Sequence, residues 1–227
     1  MNEQRVGVVV AAGAGQRLDG VAPKALVQLR GEPLLVRSAR TMGGVCGRLV
    51  VVVGEAWEEQ ARNLLAEAGI NAGVCTGAKT RTGSVAAGLA ACEPLRFTDL
   101  VGIHDAARPL VSDALIRRVF AAVCAGWDAA APALPVVDTL KRVSESQAMV
   151  RTIDREGLWT VQTPQVFRWA VLRRAYQIPD RDATDDLALV ERGGGRVRLV
   201  MGDPTNLKIT YPRDLAMAEA LLAGVGS

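Results

Sequence analysis

Four runs of this chain, Val6 to Ala11, Leu49 to Val53, Leu100 to His104 and Val197 to Met201, are rich in valine and bounded by glycine or charge. A strand with one wet face alternates polar and apolar residues, whereas runs like these suit strands covered on both faces, as in a parallel sheet. Between them lie helix-period segments, Pro33 to Met42, Glu55 to Ala68, Gly83 to Ala91 and Ser112 to Ala125, the last opened by a Ser112-Asp113 cap signal. Alternating strand and helix predicts an α/β fold with a doubly wound, mostly parallel, Rossmann-like sheet. Such sheets bind ligands beyond the carboxyl ends of their strands. Two unusual loops, Ala11 to Arg17 and His104 to Pro109, each follow such an end.

At 227 residues the chain is expected to form one domain, residues 1–227. From Pro135 the pattern changes: Thr139 to Val143 and Met149 to Ile153 are short, partly alternating runs joined by a polar Ser144-Glu145-Ser146-Gln147 turn. Residues 135–158 thus read as a projecting β-hairpin arm. A lone hairpin is marginal in water, so a second subunit is expected to cover it, which makes the chain a homodimer. Pro212 to Ala223 reads as a closing amphipathic helix.

The net charge of +3 gives no basis for nucleic-acid binding. The four cysteines are scattered, without a C-x-x-C pair, as reduced and mostly buried thiols are. The apolar run after Met1 to Arg5 is too short to span a membrane and lacks a signal-peptide layout, so a cytoplasmic protein without a membrane partner is expected. With His104 the sole histidine, serine-type triads and multi-histidine zinc sites are disfavoured.

The loop Ala11-Ala12-Gly13-Ala14-Gly15-Gln16-Arg17 has the small residues that let backbone N–H groups approach phosphates, and Arg17 adds a fork of donors. Leu18 departs from the dinucleotide fingerprint, and no Lys-Ser or Lys-Thr follows as in a Walker loop. Lys24, behind Pro23, is a second cation on the same connection. Amides, an arginine and a lysine together suit a triphosphate on which charge develops during displacement. Asp105 is one carboxylate at a strand end, enough for Mg2+ when phosphates supply further ligands. His104 is expected to pack rather than act as a base, for if the loop's triphosphate is attacked by a phosphorylated acceptor, that acceptor is already anionic near neutral pH.

Taken in order, Ala11-Ala12-Gly13 with Arg17 and Pro23-Lys24, Arg81 with Ser84-Val85, His104 to Pro109, Asp138-Thr139 with Lys141, Asp154-Arg155 with Gly157-Leu158-Trp159, Thr163-Pro164-Gln165, Thr184-Asp185 and Lys208-Ile209-Thr210 resemble the 2-C-methyl-D-erythritol 4-phosphate cytidylyltransferases of the non-mevalonate isoprenoid pathway. The resemblance covers nearly the whole chain. It implies transfer of CMP from CTP to methylerythritol phosphate, with Arg17, Lys24, Arg155 and Lys208 as catalytic residues. Ala11, Ala12, Gly13, Gly15, Ala78, Lys79 and Ser84 would bind the nucleotide; Arg108, Thr139, Thr163 and Thr184 would surround the polyol phosphate; Asp105 would hold the metal. Arg155, on the arm, would reach the acceptor from the partner subunit.

One stretch departs from the family pattern. A Gly-Gly-Asp type of turn is expected before the Arg…Ser-Val element, and this chain has Gly77-Ala78-Lys79. Ala78 can replace glycine where φ is negative. The alternatives are a cytidylyltransferase for ribitol 5-phosphate or another sugar phosphate, and a silent nucleotide-binding regulator. The second expects losses at Arg17, Lys24, Asp105 or Lys208, all of which are present. The chain ends soon after Leu222, so no fused second enzyme is expected.

Overall fold

The computed structural model describes residues 3–13, 23–178 and 183–224. Gly15 and Arg17 lie outside the described residues. Twelve strands and seven α-helices are present among them. The sheet begins with β1 (Arg5–Val10), followed by a two-residue hairpin of β2 (Gln28–Leu29) and β3 (Glu32–Pro33), then α1 (Leu34–Gly43) and β4 (Arg48–Val53). Next come α2 (Glu58–Glu67), β5 (Gly73–Thr76), α3 (Arg81–Ala91), β6 (Leu100–Asp105), α4 (Asp113–Cys124) and β7 (Ala129–Pro135). The arm strands β8 (Leu140–Val143) and β9 (Met149–Ile153) precede β10 (Trp159–Val161) and β11 (Gln165–Arg168). The chain closes with α5 (Trp169–Ala175), α6 (Asp186–Arg192), β12 (Val197–Met201) and α7 (Pro212–Gly224).

The main sheet runs in the order β10, β7, β11, β6, β1, β4, β5, with β12 paired in parallel along β7. β1 is parallel to both β4 and β6, while β11 is antiparallel to β6 and β7. The chain leaves β1 for β4 on one side and later returns to β6 on the other. The crevice at the carboxyl ends of β1 and β6 is therefore a topological switch point, where such sheets bind ligands.

The valine runs of β1, β4 and β6 are buried on both faces, as their composition requires. Val197 to Met201 is not: β12 is paired with β7 alone among the described residues, and as an edge strand it leaves Arg198, Leu199 and Met201 exposed. Val9, Val51 and Val53 face a core that includes Met42 of α1, Leu65 of α2 and Phe120 of α4. Val6, Val8, Val50 and Val52 face the opposite core with Leu89 of α3, Leu172 of α5 and Leu189 of α6. Each such side chain contributes about 1.5–3 kcal/mol by leaving water. Ser112 caps α4 by accepting from the Leu115 N–H at 3.2 Å, and Asp113 occupies the first turn. Gly88 lets α3 lie close on the sheet: a Cβ there would sit 2.6 Å from Val52 and 2.7 Å from Val8.

Some boundaries and strands differ from expectation. The segment from Glu55 begins as a 3-10 turn, Glu55–Trp57, before α2. α3 starts at Arg81 rather than Gly83, because the Thr80 hydroxyl accepts from the Gly83 N–H at 3.0 Å and caps the helix two residues earlier. β7, with the sequence AAAPALP, carries no β-branched residue and became a strand through its pairing partners. Cys46 and Cys92 are buried, which pushes both thiols up to about 12, but Cys124 is exposed. No helix among the described residues is long and apolar enough to cross a membrane.

The arm pairs as an antiparallel hairpin, Leu140 opposite Ile153, with an irregularity between Arg142 and Val143. Val143, Met149 and Val150 on it are more than half exposed.

Candidate functional site

A cleft of about 810 Å³ lies at the switch point. Ala11, Ala12 and Gly13 leave the end of β1 and form one wall. Lys24 enters from a 3-10 turn, Lys24–Leu26, anchored by buried Ala25. Ala78, Lys79 and Thr80 come from the β5–α3 connection, Arg81 and Ser84 from the start of α3, Asp105 to Ala107 from the end of β6, and Lys208 and Thr210 from the segment after β12. Four cations, Lys24, Lys79, Arg81 and Lys208, thus face one carboxylate, Asp105, among the lining residues. That excess suits a polyanion.

Small side chains bring the two nucleotide-side loops together. A Cβ at Gly77 would lie 2.6 Å from the Ala12 Cβ and 2.8 Å from the Ser84 Oγ, so only glycine allows this approach. The Ser84 hydroxyl accepts from the Ala78 N–H at 3.0 Å and donates to the Thr80 carbonyl at 2.9 Å. Ser84 is 2 % exposed, so it shapes the loop that would meet a nucleotide. Among the described residues the non-glycine positions with positive φ are Arg30 and Gln147. Ala78 therefore takes the place of glycine without backbone strain.

Asp105 is the electrostatic centre. Lys208 Nζ donates to its Oδ2 at 2.6 Å, and Arg81 Nε stands 3.5 Å from its Oδ1. Burial pushes the Asp105 carboxyl up, but Lys208 and then Arg81 outweigh it and hold the group at about 2. Arg81 also donates to Asp186 at 2.8 Å, and Asp186 accepts from the Tyr176 hydroxyl at 2.5 Å. This chain of charges ties the cleft to the start of α6. Nothing local reveals Asp186, because an acid following the Asp185 cap reads as an ordinary first-turn residue.

His104 is fully buried beside Asp105. Its Nδ1 is 3.0 Å from the Thr163 hydroxyl, which also accepts from the Asp105 N–H at 3.1 Å. Its Nε2 is 3.2 Å from the Arg108 carbonyl. That carbonyl can only accept, so Nε2 carries the proton and Nδ1 accepts from Thr163. Burial pushes the imidazole down to about 4, against the opposing charge of Asp105. The histidine is packed and neutral, in agreement with the expectation from sequence.

The predicted acceptor-side residues are placed less closely. Thr163 is buried with its hydroxyl engaged as above, and Arg108 donates to the Asn206 carbonyl at 2.7 Å. Thr139 and Thr184 are exposed, at the root of the arm and before the α6 cap respectively. None of these four lines the cleft, and neither does Arg155, whose guanidinium donates to the Val137 carbonyl at the base of its own arm. Conversely Thr80, Arg81, Ala107 and Thr210 line the cleft without having been assigned a role. For Arg81 and Thr210 the signal was their place in the ordered motif series.

A switch-point cleft with a wall of small residues, flanking lysines and a single acid defines the nucleotidyltransferase-like class of α/β proteins. A family model described as 2-C-methyl-D-erythritol 4-phosphate cytidylyltransferase matches residues 6–224. The chain is 45 % identical over 219 residues to a protein of that name from Rhodococcus opacus, covering 96 % of this chain and 94 % of the relative. It is 46 % identical over 222 residues to one from Saccharopolyspora erythraea, covering 96 % and 99 %. The crystal structure of the Thermus thermophilus protein of the same name superposes with a TM-score of 0.78 at 37 % identity, over 97 % of this chain and 98 % of that one. The chain belongs to the 2-C-methyl-D-erythritol 4-phosphate cytidylyltransferase family.

Proposed function

We infer that this chain transfers the cytidylyl group of CTP to 2-C-methyl-D-erythritol 4-phosphate, giving the CDP-alcohol and pyrophosphate for isoprenoid precursor synthesis. The observation that carries this reading is the cation-rich switch-point cleft in a chain of this family. An oxygen of the acceptor phosphate forms a bond to the α-phosphorus of CTP. The bond from that phosphorus to the bridging oxygen breaks, and pyrophosphate leaves with the electron pair. The attacking oxygen is already anionic, so no imidazole base is required, and His104 is placed where it offers none.

Lys24, with Arg17 from the same connection, is assigned to the charge that grows on the reacting phosphates. Ala11, Ala12, Gly13 and Gly15 are assigned to the phosphate chain through their backbone amides, and the Ala78-Lys79 turn, held by Ser84, to the base. Lys208 and Arg108 are assigned to the acceptor phosphate, and Thr139, Thr163 and Thr184 to the acceptor side. A divalent cation, most simply Mg2+, fits Asp105: the carboxylate stays ionised, and a single acid suffices where phosphates and water complete the shell. When bound it would neutralise phosphate charge.

The arm is assigned to a homodimer interface, since its apolar residues are exposed on a two-stranded hairpin and its Arg155 stands outside the cleft of its own chain. A cytoplasmic location agrees with the free cysteines. The test is pyrophosphate release and product mass with each of four nucleoside triphosphates against methylerythritol phosphate, ribitol 5-phosphate and erythritol 4-phosphate. CTP with methylerythritol phosphate is expected to be the productive pair. Product from ribitol phosphate alone would overturn the acceptor, and no product from any pair would overturn the transferase reading.

A further inference from the structure

Three separate segments meet behind the cleft wall that Asp105 to Ala107 and Lys208 form: residues 104–108 at the end of β6, 162–163 between β10 and β11, and 203–209 after β12. Where they meet, Asn206 is fully buried. Its Nδ2 donates to the Thr163 carbonyl at 2.9 Å and reaches the Gln162 Oε1 at 3.4 Å. The backbone carbonyl of Asn206 accepts from Arg108 Nη1 at 2.7 Å. Gln162 completes the clamp, since its Nε2 donates to the Asp203 carbonyl at 2.8 Å and its Oε1 accepts from the Asp203 N–H at 3.2 Å. Two residues past Asn206, Lys208 meets Asp105, and the Ile209 N–H donates to the Ala107 carbonyl at 2.9 Å.

The geometry points to Asn206 as a positioning residue that sets Arg108 and Lys208 relative to Thr163 and so fixes the acceptor side of the site, a role that rests on the functional reading above. Its amide orientation is determined by its neighbours, because the reverse orientation would turn Oδ1 toward two acceptor oxygens. Oδ1 itself is buried without a hydrogen-bond partner, as is Nε of Arg108. An apolar residue would avoid that orphaned atom, so packing alone does not account for an asparagine here. What an apolar side chain lacks is the donor that joins the 203–208 segment to Thr163. Asn206 lines no part of the cleft, so its influence passes through Arg108 and Lys208 rather than through contact with substrate.

The experiment compares wild type, Asn206→Ala, Arg108→Ala and the double variant by steady-state kinetics in both substrates, with CTP binding measured by calorimetry and melting followed in parallel. Asn206→Ala is expected to lower kcat/KM for the acceptor by about tenfold or more, with CTP dissociation changed by less than about threefold. In the double variant the loss is expected to stay within about twofold of Arg108→Ala alone, since residues acting as a unit do not add. Should Asn206→Ala not fold, Gln162→Leu opens the same clamp from the other side and is expected to give the same split in weaker form. Losses that multiply, an unchanged acceptor kcat/KM, or CTP binding that weakens in parallel with acceptor use and melting would overturn the positioning role. If wild type itself makes no product from CTP and the polyol phosphate, the functional reading falls, and this role with it.

Discussion

His104 is the only histidine in the chain, which makes its proton separately measurable. Burial holds the imidazole at about 4 in the folded protein, against 6.5 for the free side chain. Acidification through that window protonates the unfolded chain but not the folded one, so the stability His104 contributes is present above about 6.5 and is lost as pH falls toward 4. At 1.36 kcal/mol per pKa unit the loss is about 3 kcal/mol. The charged neighbours act in both directions: Asp105 favours protonation and Arg108 opposes it, and burial exceeds either. In protein free of histidine tags, the single imidazole C–H resonance should stay at its neutral position from pH 8 to about 5. Urea unfolding of wild type and His104→Gln across pH 7.5 to 4 cancels most of the carboxylate contribution shared by both. Wild type is expected to lose about 3 kcal/mol more than the variant over that range. A resonance that titrates near 6.5, or identical pH slopes for the two proteins, would refute the claim that this histidine is sealed and neutral.

Lys24→Ala is expected to lower kcat by about a hundredfold, the scale of losing one preorganised donor, and a change confined to the CTP KM would demote it to ground-state binding. Lys79→Ala is expected to leave the preference for CTP within about threefold, because Ala78 keeps the ordinary backbone of that turn; a switch toward another triphosphate would make Lys79 itself the reader of the base. Mixing Lys24→Ala and Arg155→Ala subunits is expected to restore activity to roughly a quarter of all sites if Arg155 serves the partner's cleft. Verified subunit exchange with no recovery would place Arg155 in its own chain's service.

Local pattern was enough for much of the fold. β1, β4, β6 and β12, the helices α1 to α4 and α7, and both arm strands follow from hydrophobic period, caps and turns, because those signals act over a few residues. The cleft loops were legible for a related reason: a strand end followed by small residues or by Asp105 announces itself in sequence. Ala11 to Gly13, Lys24, Ala78, Lys79, Ser84, Asp105 and Lys208 indeed meet in one cleft.

Tertiary structure decided what depends on pairing between distant segments. β7 has no strand signal of its own and is a strand because β11 and β12 flank it. Ser84 lines the cleft, and the bonds that fix its hydroxyl, from the Ala78 N–H and to the Thr80 carbonyl, are set by the capped start of α3 rather than by anything legible in its own sequence neighbourhood. The Arg81–Asp186 pair spans 105 positions and the Arg108–Asn206 bond spans 98. Neither residue of such a pair carries a local mark of its partner. A buried polar group must find a hydrogen bond wherever the folded chain supplies one, and that place is known only once the sheet order has brought the segments together.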